Sequence, residues 1–367
     1  MLDYDKEKFK KMWLDPDNTI PSIATEFGLG RRGVYDRAQS LGLPTVDRSA
    51  HSGGRHTESE PEDIEKTLIV EPYPDFKIKP FLPEKRSRDE EDIGIVITDW
   101  HLGKITPSYN GVVAETRMDN LLENAMTIIN LHRPIRNAHV FDLGDNVQGE
   151  NPHQGSKIGD TQFGAFEQIH DRAIPYLSRF CTSLAQGVKE VNFYGIDGNH
   201  GIYERTAPTK TNWDSFVYRG LEMAMTNQKN IHIYTPQTFY QLINIRGFRF
   251  FVIHGNQVYA QQGIPMFALR RKMQEWFAFV GGFNFGYCGH FHSGAYDQVN
   301  SVADYTISPP LVTGDSWALE KVGRASEPRQ LAFGIHDKYS RTWEYKLYCD
   351  DAFLPKRYEE AEGIIKI

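Results

Sequence analysis

Val140-Phe141-Asp142-Leu143-Gly144-Asp145-Asn146-Val147-Gln148-Gly149 is an apolar run that ends in Gly-Asp and closes on another glycine. Residues 138–143 have the length and apolarity of a buried strand. An Asp just past such a strand stands where open α/β sheets hold ligands, at the carboxyl edge. Taken alone, Gly144-Asp145 also reads as an ordinary turn, since both residues favour turns for local backbone reasons. The other strand-like runs bear on that choice. Asp99-Trp100-His101 follows the run 93–98, Gly198-Asn199-His200 follows 191–196, His254 follows 250–253, and Gly289-His290-Phe291-His292 follows 283–288. Every run ends in Asp, Asn or His. Imidazole mixed with carboxylate suits borderline divalent ions such as Zn, Mn and Fe, whereas an all-oxygen set suits Mg or Ca.

Taken in order, Asp-x-His, Gly-Asp-x-x-x-Gly, Gly-Asn-His, a single His and Gly-His-x-His resemble the calcineurin-like metallophosphoesterase superfamily over residues 93–292. The resemblance implies an α/β fold, a two-sheet sandwich flanked by helices, and two divalent metal ions bridged by Asp145. It assigns Asp99, His101 and His292 to one ion and Asn199, His254 and His290 to the other. His200 is then unliganded, as general acid or transition-state stabiliser. Mixed N and O ligands make Mn²⁺ the expected ion, with Zn²⁺, Fe²⁺ and Mg²⁺ as alternatives. Two positions depart from the family pattern. Gly201 follows His200 where the family often has Asp or Glu, and Gln148 stands where phosphatase-like members carry Asp. These departures disfavour a protein Ser/Thr phosphatase and leave the phosphodiesterase and nuclease branch, repair exonucleases included. They also leave open what orients His200, with Asp197 and Glu204 as candidates.

The chain has 367 residues, room for one large catalytic domain and one small module. A formal net charge of −7 excludes a surface that is basic throughout, so any nucleic-acid contact has to come from a local patch. The three cysteines, Cys181, Cys288 and Cys349, lie far apart in no metal-binding spacing and read as free thiols of a reducing compartment. No run has the length of a membrane span, and Met1-Leu2-Asp3-Tyr4-Asp5-Lys6 lacks the apolar core of a signal peptide, so the expectation is a cytoplasmic protein.

Residues 1–48 read as three helices. The segment 5–14 is the first; 19–27 is the second, with Thr19 as cap and Ile20, Ile23, Ala24 and Phe27 on one face; 31–41 is the third, after Gly28-Leu29-Gly30. Helix, glycine turn and helix suggest a helix-turn-helix that would present Arg31, Arg32 and Tyr35 to DNA bases, with Arg37 and Arg48 near phosphates. Protein docking or plain packing is the competing role, because Asp15, Asp17, Glu26, Asp36 and Asp47 dilute the basic face. Residues 49–92, polar and charged, read as a linker; 93–350 form the catalytic domain and 351–367 a tail. Within the catalytic domain helices are expected at 115–132, 166–185 and 214–227. After the strands 231–234, 239–245 and 248–254, the runs 303–307, 311–313, 331–336 and 342–348 should complete the second sheet. The loops 148–164 and 203–210 are candidates to line a substrate groove.

Three functions fit: a DNA phosphodiesterase, which the module favours; a hydrolase of small or cyclic nucleotides; and a DNA-binding regulator with a vestigial metal site. DNA is the expected partner, a membrane is not, and the oligomeric state is open.

Overall fold

The computed structural model describes residues 3–15, 17–44, 90–150, 161–203, 211–259, 265–314 and 327–355. The chain divides into two units, Met1–Glu71 and Pro72–Ile367. In the first, α1 (Asp3–Leu14), α2 (Ile20–Phe27) and α3 (Arg31–Ser40) enclose Phe9, Trp13, Ile20, Ile23, Val34 and Ala38. Thr19 caps α2 by accepting from the Ser22 N–H, and Gly28 ends the helix in the left-handed region at φ 61°.

The second unit begins with β1 (Glu91–Ile97), α4 (Gly111–Leu131) and β2 (Ile135–Asp142). A π-helical stretch (Glu167–Ala173), α5 (Ile174–Leu184), β3 (Glu190–Gly195), α6 (Trp213–Ala224) and β4 (Ile231–Tyr234) follow. Next come β5 (Tyr240–Ile245), β6 (Phe248–Ile253), α7 (Pro265–Phe279), β7 (Phe285–Cys288), β8 (Ala295–Asn300) and β9 (Ala303–Ile307). The last strands are β10 (Arg329–His336) and β11 (Ser340–Tyr348). One sheet has the order β11-β10-β1-β2-β3-β4, with β1 to β4 parallel; the other has the order β5-β6-β7-β9-β8.

Side chains alternate along a strand, so each strand of this two-sheet sandwich faces two layers. Ile95, Val140 and Phe193 pack with Leu121, Leu177 and Leu221 of the helices over the first sheet. Val96, Phe141 and Leu143 point the other way, into the layer between the sheets, against Phe250, Val252, Tyr287 and Phe333. Tyr287 and Phe333 stack there with centroids 5.1 Å apart. The outer face of the second sheet, Phe251 and Tyr305, is covered by Leu269 and Met273 of α7. The architecture is the α/β sandwich flanked by helices that the sequence led us to expect, with the layers set by period-two apolarity.

Several local expectations change. Strand β1 starts at Glu91, inside the expected linker, because its charges are compensated. Asp92 accepts from Arg246 Nη2 at 2.9 Å, and Glu91 accepts from Trp343 Nε1 at 2.7 Å. Helix α4 starts before residue 115, where Asn110 Oδ1 accepts from the Val112 and Val113 N–H groups. The helix expected over 166–185 opens as a π-helix: Pro175 has no N–H to continue the ladder, and Ile174 N–H reaches back to the Ile169 carbonyl. Residues 311–313 are irregular, with Leu311 N–H donating to the Asp99 carbonyl at 3.1 Å. Strands β10 and β11 join the first sheet, β10 lying antiparallel to β1 with Ile95 opposite Ala332. The reason is burial on both faces: Leu331, Phe333 and Ile335 fill the layer between the sheets while Ala332 meets the helices, so β10 needs a place in a sheet covered on both sides. The expected linker segment 49–89 and tail residues 356–367 lie outside the described residues.

Candidate metal centre

Strands β1, β2, β3, β6 and β7 end on loops that carry Asp99, Asp145, Asn199, His254 and His290. Backbone conformation is unusual here. Asp99, His101, Asp145, His290 and His292 all adopt φ between 49° and 69°. Non-glycine residues rarely occupy that region, Asp and His more readily than most, and such strain persists only where surrounding contacts over-determine it. Those contacts link one loop to the next: Asp99 N–H donates to the Gly144 carbonyl at 3.0 Å, His101 N–H to Asp145 at 2.9 Å, and Gly289 N–H to His254 at 2.8 Å.

Asp99, His101 and His292 form one buried donor group. His101 Nε2 and His292 Nε2 face each other at 3.0 Å, with Asp99 Oδ1 at 3.7 Å from the first and 3.4 Å from the second. Gln148 Oε1, 3.1 Å from His101 Nδ1, can only accept, so Nδ1 carries the proton and Nε2 presents its lone pair. Asp99 Oδ2 accepts from Thr98 Oγ1 and the His290 N–H, while Oδ1 accepts no hydrogen bond among the described residues. A buried carboxylate oxygen without a donor, beside two converging imidazole nitrogens, is a set of electron pairs that a cation would satisfy. Burial raises the Asp99 carboxyl, but His101 and His292 outweigh it and hold the group well below the usual range. Burial lowers His101, keeping it in the neutral form a metal requires.

Asp145, His254 and His290 form the second group. Asp145 Oδ2 lies 3.1 Å from His254 Nε2 and 4.0 Å from His101 Nε2, so this one oxygen faces both groups. Its other oxygen accepts from the His200 N–H at 2.7 Å. His254 donates Nδ1–H to the Leu143 carbonyl at 2.7 Å, which turns Nε2 toward Asp145 and toward Asn199 Oδ1 at 3.0 Å. Burial opposes charge on His254, yet the neighbouring Asp145 prevails and pushes it up to about 9. Burial and the charge on His254 push His290 down to about 3. Asp145 remains well below the carboxylate range, burial being outweighed by His254 and His200. The structure thus brings together all seven residues expected to ligate metal. His200 is half-buried, its ring edge-on to His101 with centroids 4.4 Å apart. One of its ring nitrogens lies within 4.8 Å of ligand atoms of His101 and Asp145, so spacing alone permits a shared ion as well as proton transfer.

The sequence reading missed Asp214. Fully buried in the first turn of α6, it accepts from the Asp145 N–H at 2.9 Å, the Gly198 N–H at 2.9 Å and the Asn146 N–H at 3.1 Å. Burial and the nearby Asp145 raise its carboxyl, and the Gly198 N–H opposes them by favouring the charged form. Asn212-x-Asp214 is a helix N-cap pattern that marks the start of α6 but says nothing of what it reaches. Glycines permit close approaches between these loops. A Cβ at Gly198 would lie 2.1 Å from Asp145 Oδ1, and one at Gly201 would lie 1.9 Å from Asn212 Oδ1. The second explains why no carboxylate follows His200: the cap of α6 occupies the space. Asp197 accepts from Ser215 Oγ at 2.6 Å, so it is engaged with α6. Glu204 lies outside the described residues.

Of the expected groove loops, residues 151–160 and 204–210 also lie outside them, and Tyr203 is exposed and packs edge-on to Trp213. In the amino-terminal unit Arg32 and Tyr35 are exposed, while Arg37 lies over the rings of Phe9 and Phe27 at 5.4 and 5.8 Å, spending its stem on the core of that unit. Arg48 and the side chain of Arg31 are outside the described residues. All three cysteines are free and buried. Among the described residues no helix is long and apolar enough to cross a membrane.

No protein-family model matches the chain, and no curated protein matches it. Among solved structures it is similar to Vps29 of Entamoeba histolytica complexed with Zn²⁺, at 12% identity over 70% of this chain and 99% of that one, with a TM-score of 0.34. It is similar to an archaeal phosphodiesterase at 11% identity over 69% and 99%, with a TM-score of 0.34. A predicted phosphoesterase of Streptococcus pneumoniae is similar at 10% identity over 70% and 98%, with a TM-score of 0.29. Likeness of this degree carries no inference about activity, and the chemistry of the centre rests on its own residues.

Proposed function

We propose that the chain is a metal-dependent phosphodiesterase that uses two divalent ions, Mn²⁺ best among them, and hydrolyses DNA. The observation that supports this most is the position of Asp145 Oδ2, facing His254 on one side and His101 on the other. Asp99, His101 and His292 would hold one ion, and Asn199, His254 and His290 the other. Ions held there would polarise the phosphoryl oxygens and supply a nucleophile from water at neutral pH. The protein's part is to aim lone pairs, through Gln148 on His101 and the Leu143 carbonyl on His254, and to provide a proton donor. A nucleotide oxygen leaves poorly without a proton, and a ring nitrogen of His200 can deliver one. The cysteines do not compete as nucleophiles: they are buried, and burial pushes the Cys349 thiol up to about 12 and raises Cys181 and Cys288 further. The DNA substrate is supported by the amino-terminal three-helix unit, with Arg31, Arg32, Tyr35, Arg37 and Arg48 as its contacts.

The test is Asp145→Asn, assayed with Mn²⁺ on an aryl diester, plasmid, linear duplex, single strand, RNA and cyclic nucleotides. A carboxylate that would contact both ions should matter more than an outer one, so activity should fall by more than ~10²-fold, with metal content reduced and circular dichroism unchanged. Full activity with unchanged metal content ends the two-metal reading. Cleavage confined to cyclic nucleotides replaces DNA as substrate.

A further inference from the structure

We infer that Asp214 is the positioning residue of the metal centre, locking the loop of Asp145 to the loop of Asn199 through three backbone N–H groups. Asp145 and Asn146 donate successive N–H groups to the two oxygens of this carboxylate, at 2.9 and 3.1 Å, and Gly198 donates from the neighbouring loop at 2.9 Å. Consecutive N–H groups turned to one side form a concave anion site, and here a side chain fills it. Asp145 itself sits at φ 57°, a conformation that needs external support. The clamp is fixed from behind. Asn212 Oδ1 accepts from the Asp214 N–H at 2.8 Å, Asn212 Nδ2 donates to the Gly198 carbonyl at 2.8 Å, and the amino end of α6 favours a carboxylate in its first turn. Asp214 touches none of the metal-facing atoms; it sets the backbone from which Asp145 and Asn199 reach them. Asparagine at 214 would keep the size but turn an NH₂ toward an N–H, so at least one of the three bonds is lost.

This inference rests on the two-metal reading, and its test separates the two. Asp214→Asn is compared with the full-length parent for Mn²⁺ stoichiometry and affinity by calorimetry, for Tm with chelator and with Mn²⁺, and for kcat and KM on an aryl diester. The expected result is a ~10–100-fold weaker Mn²⁺ affinity at the Asp145 site, the range for residues that orient ligands. The rise in Tm on adding Mn²⁺ should shrink, and kcat should fall with KM little changed. A variant with a lower Tm in chelator but an unchanged Mn²⁺ affinity and kcat makes Asp214 a helix cap only and overturns the proposal. Should Asp214→Asn not fold, Asn212→Ser carries the test: serine keeps the cap and removes the donor to the Gly198 carbonyl, and it should weaken Mn²⁺ in the same direction; unchanged affinity overturns the proposal. A parent protein that binds no Mn²⁺ refutes the two-metal reading instead.

Discussion

His101 and His292 meet Nε2 to Nε2 at 3.0 Å, too close for two lone pairs unless a proton or a cation lies between them. Protons and metal therefore compete for the centre, and His254, pushed up to about 9 beside Asp145, strengthens the competition. Mn²⁺ affinity should accordingly rise with pH between 6 and 9, by up to about tenfold per unit for each proton displaced. At an ion concentration of 100 Kd the fold should gain about 2.7 kcal/mol, read as a higher Tm that chelator reverses. Calorimetry at three pH values checks this; an affinity independent of pH would show that His254 is not a ligand.

Replacing His200 distinguishes proton donor from ligand. We expect His200→Gln to lower turnover on a nucleotide diester by about 10² to 10⁴-fold, the reach of general acid catalysis, and to affect an activated aryl ester much less. Parallel initial rates on the two substrates decide it. Equal losses, or loss of a bound ion, assign His200 to ligation, which its spacing also allows.

At the opposite ends of the strands, Asp92 is buried between His139 Nε2 at 3.2 Å and Arg246 Nη2 at 2.9 Å. Burial raises its carboxyl, but the bonds to His139 and Arg246 outweigh it and keep the group below its ordinary value. A carboxyl lowered by folding contributes stability above its unfolded pKa of about 3.9 and loses it as pH falls through the folded value. Arg246→Ala leaves the buried charge with less compensation, at a cost of about 3–5 kcal/mol at pH 7. The Asp92 carboxyl then rises from its lowered value, with His139 still beside it, so the cost should be smaller at pH 4 than at pH 7. Urea unfolding of both proteins at the two pH values measures it.

Salt dependence tests the amino-terminal unit. If Arg31, Arg32, Arg37 and Arg48 neutralise phosphates, DNA affinity should fall with salt at a log–log slope of about 0.9 per contact. Arg31→Ala with Arg32→Ala should then lower that slope by about 2 while leaving aryl diester hydrolysis unchanged. Fluorescence anisotropy from low to moderate salt reads the slope. An unaltered slope moves the unit toward protein docking and the enzyme toward small nucleotides.

The residues that converge at the strand ends were legible because their signal is local: an apolar run of strand length, followed at once by Asp, Asn or His, repeated along the chain. The caps at Thr19 and Gly28 were equally legible. Helix α7 was readable but missed, although Leu269, Met273, Trp276, Phe277 and Val280 recur at helical spacing. Other features have no local signal. Which sheet receives β10 depends on the free edge of β1, more than two hundred residues earlier in the chain, where Thr98 N–H also donates to Gln330 Oε1 at 2.7 Å. The clamp of Asp214 on Asp145, the left-handed backbone at five site residues, and the glycine required at 201 by the cap of α6 likewise exist only once distant loops converge. The amino-acid order determined which groups stand at the strand ends; tertiary packing alone decided which lone pairs face each other, because orientation at that scale is set by hydrogen bonds between segments far apart in the chain.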